Sequence, residues 1–147
     1  MAEVKNCTIP EELFYLVRSH VWARSEDGTV VVGITDVAQN LAQRFIAYTP
    51  KKVGKRVEVG RSTATLESGK WVGPVPSPVA GEIIAINDAA LADPSIVNGA
   101  PYGEGWIAKV KADDWERDRA GLLSGDAALE EYARFMEEEG IECPPKG

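Results

Sequence analysis

The chain has 147 residues, 44% of them hydrophobic, and its 23 Asp and Glu outweigh 16 Lys and Arg to give a formal net charge of −7. A chain of this length closes one domain around its own core without a metal or a disulfide, and its charge repels nucleic-acid phosphate and anionic membrane surfaces. No apolar run approaches the roughly 20 residues a bilayer requires, and the polar start from Met1 to Cys7 does not read as a secretory signal. A cytoplasmic protein with neither nucleic acid nor membrane as partner is expected.

Residues 14–18 and 21–24 read as strands, and Glu26, Asp27 and Gly28 signal a hairpin turn into the β-branched run 29–34. Thr35 is placed to cap a short helix over 36–42, followed by a strand over 44–48 that Pro50 stops. Gly54 and Gly60 bracket a turn and a short strand. Residues 61–67 alternate as a strand, Ser68, Gly69 and Lys70 form the tip of a tight hairpin, and the chain returns through Pro74, Pro76 and Pro78 into a strand over 79–86. Residues 87–98 suit a connector with a helical turn. Next comes a strand over 105–111, in which Trp106, Ala108 and Val110 alternate and Ile107 breaks the pattern. A helix over 127–139 ends the chain, with Leu129, Tyr132, Ala133 and Met136 on one face, Asp126 as N-cap and Gly140 as the C′ stop. Frequent Gly and Pro between short strands indicate a mainly β barrel or sandwich with flanking helices, the last helix packed on the β core. No internal repeat is present.

The chemistry-bearing residues exclude more than they assign. The sole histidine, His20, has no nucleophile motif beside it; there is no Gly-x-Gly-x-x-Gly or Walker loop, and no cluster has metal-ligand spacing, so neither an enzyme nor a metal protein is expected. His20 lies in a strand pattern beside Val21 and Trp22, where a ring satisfied by a backbone group is the expectation. Cys7 and Cys143 sit at opposite ends of the sequence, without zinc-knuckle or Cys-x-x-Cys spacing. Lys51, Lys52, Lys55, Arg56 and Arg61 form a basic cluster with two readings, a docking patch for an acidic partner or a solvated loop. The run Glu137 to Glu139 reads as the exposed side of the last helix. Lys70 is different: an amine presented on a rigid turn is an anchor for something.

Glu67-Ser68-Gly69-Lys70, followed by Ser77-Pro78-Val79-Ala80-Gly81-Glu82 and Asn87, resembles the lipoyl-lysine hairpin of the glycine cleavage system H proteins. Further matches lie in order at similar spacing: His20 with Trp22, Glu26 to Gly28, Val32 to Asp36 with Ala38 and Gln39, Asn98, and Pro101 to Trp106. The resemblance covers roughly residues 14–135 and treats 1–147 as one domain with Cys-containing extensions at both ends. It implies a barrel-sandwich hybrid of the lipoyl and biotinyl type and lipoic acid in amide linkage on Lys70. In this resemblance a lipoate-attaching enzyme modifies the lysine, Gly69 lets the chain turn, and Glu67 helps orient that enzyme. A non-catalytic carrier needs weak, transient docking, so a monomer is expected. Biotin carriers place methionines on both sides of the lysine, whereas Gly69 and Trp71 stand here.

Departures from the H-protein pattern bear on the cargo. Val21 stands where the family has a glutamate, Trp71 where it has a small residue, and residues 72–76 where it is polar or acidic. An apolar surface under the arm is poor at holding a cationic aminomethyl group. These residues, the Cys7 segment and the Cys143 segment look more like the lipoate-binding relatives of sulfur-oxidising prokaryotes. That likeness implies sulfur intermediates shuttled with a heterodisulfide-reductase-like complex. The alternative is aminomethyl transfer with glycine decarboxylase, aminomethyltransferase and dihydrolipoamide dehydrogenase. For Cys7 and Cys143 two readings stay open: redox thiols that pair when the termini meet, or two unrelated thiols.

Overall fold

The computed structural model describes residues 2–145. The chain opens with a small hairpin of β1 (Glu3–Val4) and β2 (Cys7–Thr8), then β3 (Phe14–Leu16), a 3₁₀ turn (Val17–Ser19), β4 (Val21–Glu26) and β5 (Thr29–Ile34). Helix α1 (Asp36–Ala42) leads to β6 (Phe45–Pro50), β7 (Arg56–Val57), β8 (Ser62–Ser68), β9 (Val72–Pro76) and β10 (Gly81–Ile86). Helices α2 (Asp88–Ala92) and α3 (Ile96–Gly99) precede β11 (Ala108–Ala112), α4 (Trp115–Arg119), β12 (Leu123–Ser124) and the long α5 (Gly125–Glu139). A seven-stranded sheet runs in the order β12-β3-β4-β5-β11-β10-β7, and β6-β8-β9 form a second sheet. This is the mainly β barrel-sandwich that the punctuated strands predict.

Two cores share the strands β4 and β5. Val21, Ala23, Val30 and Val32 join Leu66, Val75, Phe45 and Ile83 in one cluster. Trp22 and Val31, on the opposite faces of the same strands, pack with Tyr15, Tyr132 and Met136 in the other. Double burial explains why 30–32 is an unbroken valine run rather than an alternating one. Trp22 pairs with Gly33 across the strands, and a Cβ on Gly33 would meet the indole at 2.3 Å. The same indole donates from Nε1 to the Pro101 carbonyl at 2.9 Å, tying the outer cluster to the loop before β11.

The Lys70 hairpin is tighter than expected. Its return arm is β9, paired with β8 from Glu67↔Val72 to Ser62↔Pro76, while the segment 79–86, expected as that arm, yields β10 between β11 and β7. Pro74 and Pro76 fit within β9 because it is an edge strand, where a missing N–H costs no ladder bond.

Smaller differences have local causes. Ser124, not Asp126, is the N-cap residue of α5, and Asp126 lies in the first turn. The buried face of α5 is Ala128, Tyr132 and Met136, with Phe135 beside it; Ala133 is exposed. Gly140 takes the left-handed stop at φ 66°. Strand β11 begins only at Ala108, and the short β1, β2, β12 and α4 carry too few residues to show a period. Residues 17 and 18 leave the expected first strand for a 3₁₀ turn (Val17–Ser19) that places His20 at φ 58°.

The two chain ends meet. Cys7 and Cys143 form a disulfide with Cα atoms 5.1 Å apart, and both residues are buried. Cys143 N–H donates to the Lys5 carbonyl at 3.0 Å, Lys5 pairs with Glu137 at 2.7 Å, and Asn40 donates to the Glu142 carbonyl at 3.4 Å. Closing a loop with a sequence separation of 136 removes unfolded-chain entropy of about 5 kcal/mol on the chain-entropy account. Reduction, or Cys143→Ser, is therefore expected to lower the unfolding free energy by about 3–5 kcal/mol. Urea melts with and without a thiol reductant measure this, and coincident midpoints would contradict it.

Candidate functional site

Ser68 builds the tip of the β8–β9 hairpin. Its N–H donates to the Trp71 carbonyl at 2.7 Å, and its Oγ accepts the N–H groups of Lys70 at 3.2 Å and Trp71 at 3.0 Å. The hydroxyl in turn donates to the Trp71 carbonyl at 3.3 Å. One buried serine thus holds the main chain of Lys70 and Trp71, beneath the exposed Lys70 side chain.

The other expected site residues divide. Trp71 stands beside Lys70, whereas Glu67 is exposed on the outer face of β8, opposite Val72 and Ala47. Gly69 does not adopt positive φ, and a Cβ there would meet open space, so the turn does not require glycine at that position. Cys7 and Cys143 belong to the outer core and do not line the cavity next to Lys70.

That cavity is a groove of about 380 Å³ into which Lys70 opens. The hairpin supplies Leu66, Trp71, Pro74 and Val75; α1 supplies Ala38, Leu41 and Ala42; Phe45, Ile34, Ser19 and His20 complete it. No carboxylate is among these residues. Helix α1 is held in place at both ends, by Thr35 Oγ1 accepting from Ala38 N–H at 3.2 Å and by Asn98. Asn98 Nδ2 donates to the Gln43 carbonyl at 2.7 Å and its Oδ1 accepts from Phe45 N–H at 2.9 Å, joining the end of α1 to the start of β6. No sequence motif singles out the groove residues on α1; Leu41 stands 40% exposed on that helix.

His20 differs from expectation. Its backbone carbonyl accepts from Thr35 N–H at 3.0 Å, yet the ring has no backbone partner, and Nδ1 is buried without a hydrogen bond. The ring lies instead against Tyr132, with centroids 6.3 Å apart, and Phe135, at 5.3 Å. Burial lowers its pKa to about 4, so the imidazole facing this groove is neutral near pH 7.

Elsewhere the basic cluster lines a second, shallow depression through Lys51, Lys55, Arg56 and Arg61. Arg56 there is paired with Asp113. Asp36 approaches both sulfurs of the disulfide, but its carboxylate accepts from Thr8 N–H at 2.8 Å and Gln39 Nε2 at 2.7 Å. The sulfurs are bonded to each other.

Two outcomes follow for this region. Ser68→Ala strands two N–H groups at the tip and is expected to lower the melting free energy by about 1–2 kcal/mol, read by thermal unfolding. For His20, the unfolded chain binds a proton below about pH 6.5 that the folded chain refuses until about pH 4, so stability falls as pH drops through that window. The loss is about 1–2 kcal/mol between about pH 7 and about pH 5, discounted for the ring's partial exposure. His20→Asn, which tolerates the left-handed backbone, is expected to flatten this dependence in urea melts at the two pH values.

Comparison with known proteins agrees with the geometry. Residues 14–139 match the family described as "Glycine cleavage H-protein". "Glycine cleavage system H protein 5" of Aquifex aeolicus is 47% identical over 147 residues, covering 97% of this chain and 99% of that one. "Probable glycine cleavage system H protein 2" of Saccharolobus solfataricus is 44% identical, covering 97% and 98%. The crystal structure of a glycine cleavage system H protein from Mycobacterium marinum superposes with a TM-score of 0.72 at 29% identity, over 90% of this chain and 100% of that one. Proteins of this family are non-catalytic carriers of lipoic acid, attached covalently to a lysine. With residues 14–139 matched by the family and close relatives covered almost end to end, the chain belongs to the glycine cleavage H-protein family.

Proposed function

We propose that Lys70 carries lipoic acid in amide linkage and that the protein shuttles an aminomethyl group among the enzymes of glycine cleavage. The observation that carries this reading is an exposed lysine on a hairpin clamped by Ser68, opening onto an apolar groove of about 380 Å³. These residues fit the group: a reachable amine for the amide, and an apolar surface for an aliphatic arm. When attached, a lipoyl group supplies a cyclic disulfide that opens reductively to accept a transferable group. The protein's own part is to present the amine on a fixed turn, keep the arm tethered at high effective concentration, and give it a dry surface to rest on. Expected partners are a lipoate-attaching enzyme, glycine decarboxylase, aminomethyltransferase and dihydrolipoamide dehydrogenase. The names of the relatives support this set.

One observation favours a second cargo. The groove has no carboxylate to balance a cationic aminomethyl group, which suits a sulfur intermediate passed to a heterodisulfide-reductase-like complex. No relative compared above bears a name that points to that pathway, so aminomethyl transfer leads. The Cys7–Cys143 pair is read as a staple of the chain ends rather than a second sulfur-handling site, because both residues are buried away from the groove.

Incubation with a lipoate-attaching enzyme and lipoate is expected to raise the intact mass by one lipoyl group, and Lys70→Arg to abolish the rise. An unchanged mass for the wild-type chain would sink the carrier reading. Glycine decarboxylase with glycine is then expected to load the lipoylated chain, with a further mass increase; no loading would shift the assignment to the sulfur cargo.

A further inference from the structure

We infer that the basic face carried by residues 51–61 is a docking surface for an acidic segment of a partner protein, placed so that the Lys70 tip stays uncovered. Five of the chain's 16 cations fall in this segment beside a single acid, Glu58, although the protein as a whole carries 23 acids. Lys51, Lys55, Arg56 and Arg61 converge on one shallow depression. Arg56 is balanced by Asp113, but Lys51, Lys52, Lys55 and Arg61 form no ion pair among the described residues. Positive charge is left over here, in a chain that is acidic on balance elsewhere.

The main chain under these side chains is fixed, which distinguishes the face from a solvated loop. Lys51 N–H donates to the Thr63 carbonyl at 2.9 Å, Gly54 N–H to the Ile83 carbonyl at 2.7 Å, and Ile83 N–H returns to the Lys55 carbonyl at 2.9 Å. At the other end Gly60 N–H donates to the Ser77 carbonyl at 2.8 Å, and Ser77 N–H to that of Arg61 at 2.7 Å. Val57 is buried beneath the segment. Cations on so ordered a backbone lose less freedom when they bind. Val53 and Val59 stand 57% and 50% exposed among them; apolar side chains add contact area against a protein surface and nothing against a phosphate backbone. The net charge of −7 repels an acidic partner from other directions, so such a partner is steered to this face. Arg61 precedes β8 and Lys70 follows it, so the length of a seven-residue strand, about 20 Å, lies between them. The depression also shares no lining residue with the groove beside Lys70. A partner can hold this end of the barrel while the hairpin tip serves another.

The isotope-labelled full-length chain is titrated at low salt with a short peptide in which pairs of glutamates alternate with valines. Backbone amide shifts are expected to centre on Gly54 and Gly60 and to leave Lys70 and Trp71 unmoved; no binding, or shifts centred on the hairpin tip, would overturn the inference. In fluorescence anisotropy, Lys52→Glu combined with Lys55→Glu is expected to weaken the peptide about tenfold, as two exposed charge contacts are lost and reversed together. Arg44→Glu combined with Arg134→Glu makes the same change in net charge at other exposed positions and is expected to leave affinity within about twofold. Equal losses in the two variants, or equal affinity for a peptide with glutamine in place of glutamate, would count against a docking face. Val53→Ser combined with Val59→Ser is expected to weaken the peptide about threefold and to leave the binding of a short single-stranded DNA unchanged. A wild-type chain that binds this DNA more tightly than the peptide would assign the face to phosphate and overturn the inference. All substituted side chains are exposed, so the variants are expected to melt with the wild type. None of these readings depends on whether Lys70 is modified, so failure here and failure of the carrier reading are distinguishable.

Discussion

Trp22 seated on Gly33 is the contact on which the rest of the molecule depends. It lets β4 and β5 be buried on both faces, with the barrel interior on one side and α5 on the other. Each large side chain buried in these clusters contributes about 1.5–3 kcal/mol, so the two strands support a disproportionate share of the fold. Position is the functional product of this stability. The inner face backs β8, whose end carries the hairpin, and the outer face backs Tyr132 of α5, against which His20 stacks at the groove.

The parts legible in the sequence were those governed by local rules. Glu26 to Gly28 turn between strands, Thr35 caps α1, Gly140 ends α5, and Ser68 to Lys70 form a hairpin tip, because each depends on a few neighbouring residues. The parts that were hidden depend on distant pairing. Nothing local says that residues 79–86 prefer β11 to β8, since the choice is made by Val110 and Ile83 meeting in the core. His20 departs from its local pattern for the same reason: its left-handed backbone is set by the turn over Val17–Ser19, and its ring by aromatic residues more than 100 positions away.

The site itself was half legible. Lys70 and Trp71 stood out as residue types in a pattern, but the groove beside them is assembled from α1, β6 and the hairpin, brought together by Asn98. The resemblance implies a turn role for Gly69 that its open surroundings do not require, while Glu67 lies exposed on the outer face of the sheet. The protein's net charge of −7 does not reach this groove, whose lining holds no acid. Surface charge elsewhere on the molecule can steer encounter with a partner.

Pro74 and Pro76 have a consequence beyond tolerating an edge. A free strand edge is a template for another chain to add a strand, and main-chain ladders of that kind are long-lived and indifferent to sequence. With two donors missing from five residues, β9 is a poor template. Strand addition from another chain is thereby disfavoured at this edge, and contacts with the hairpin fall mainly to its side chains.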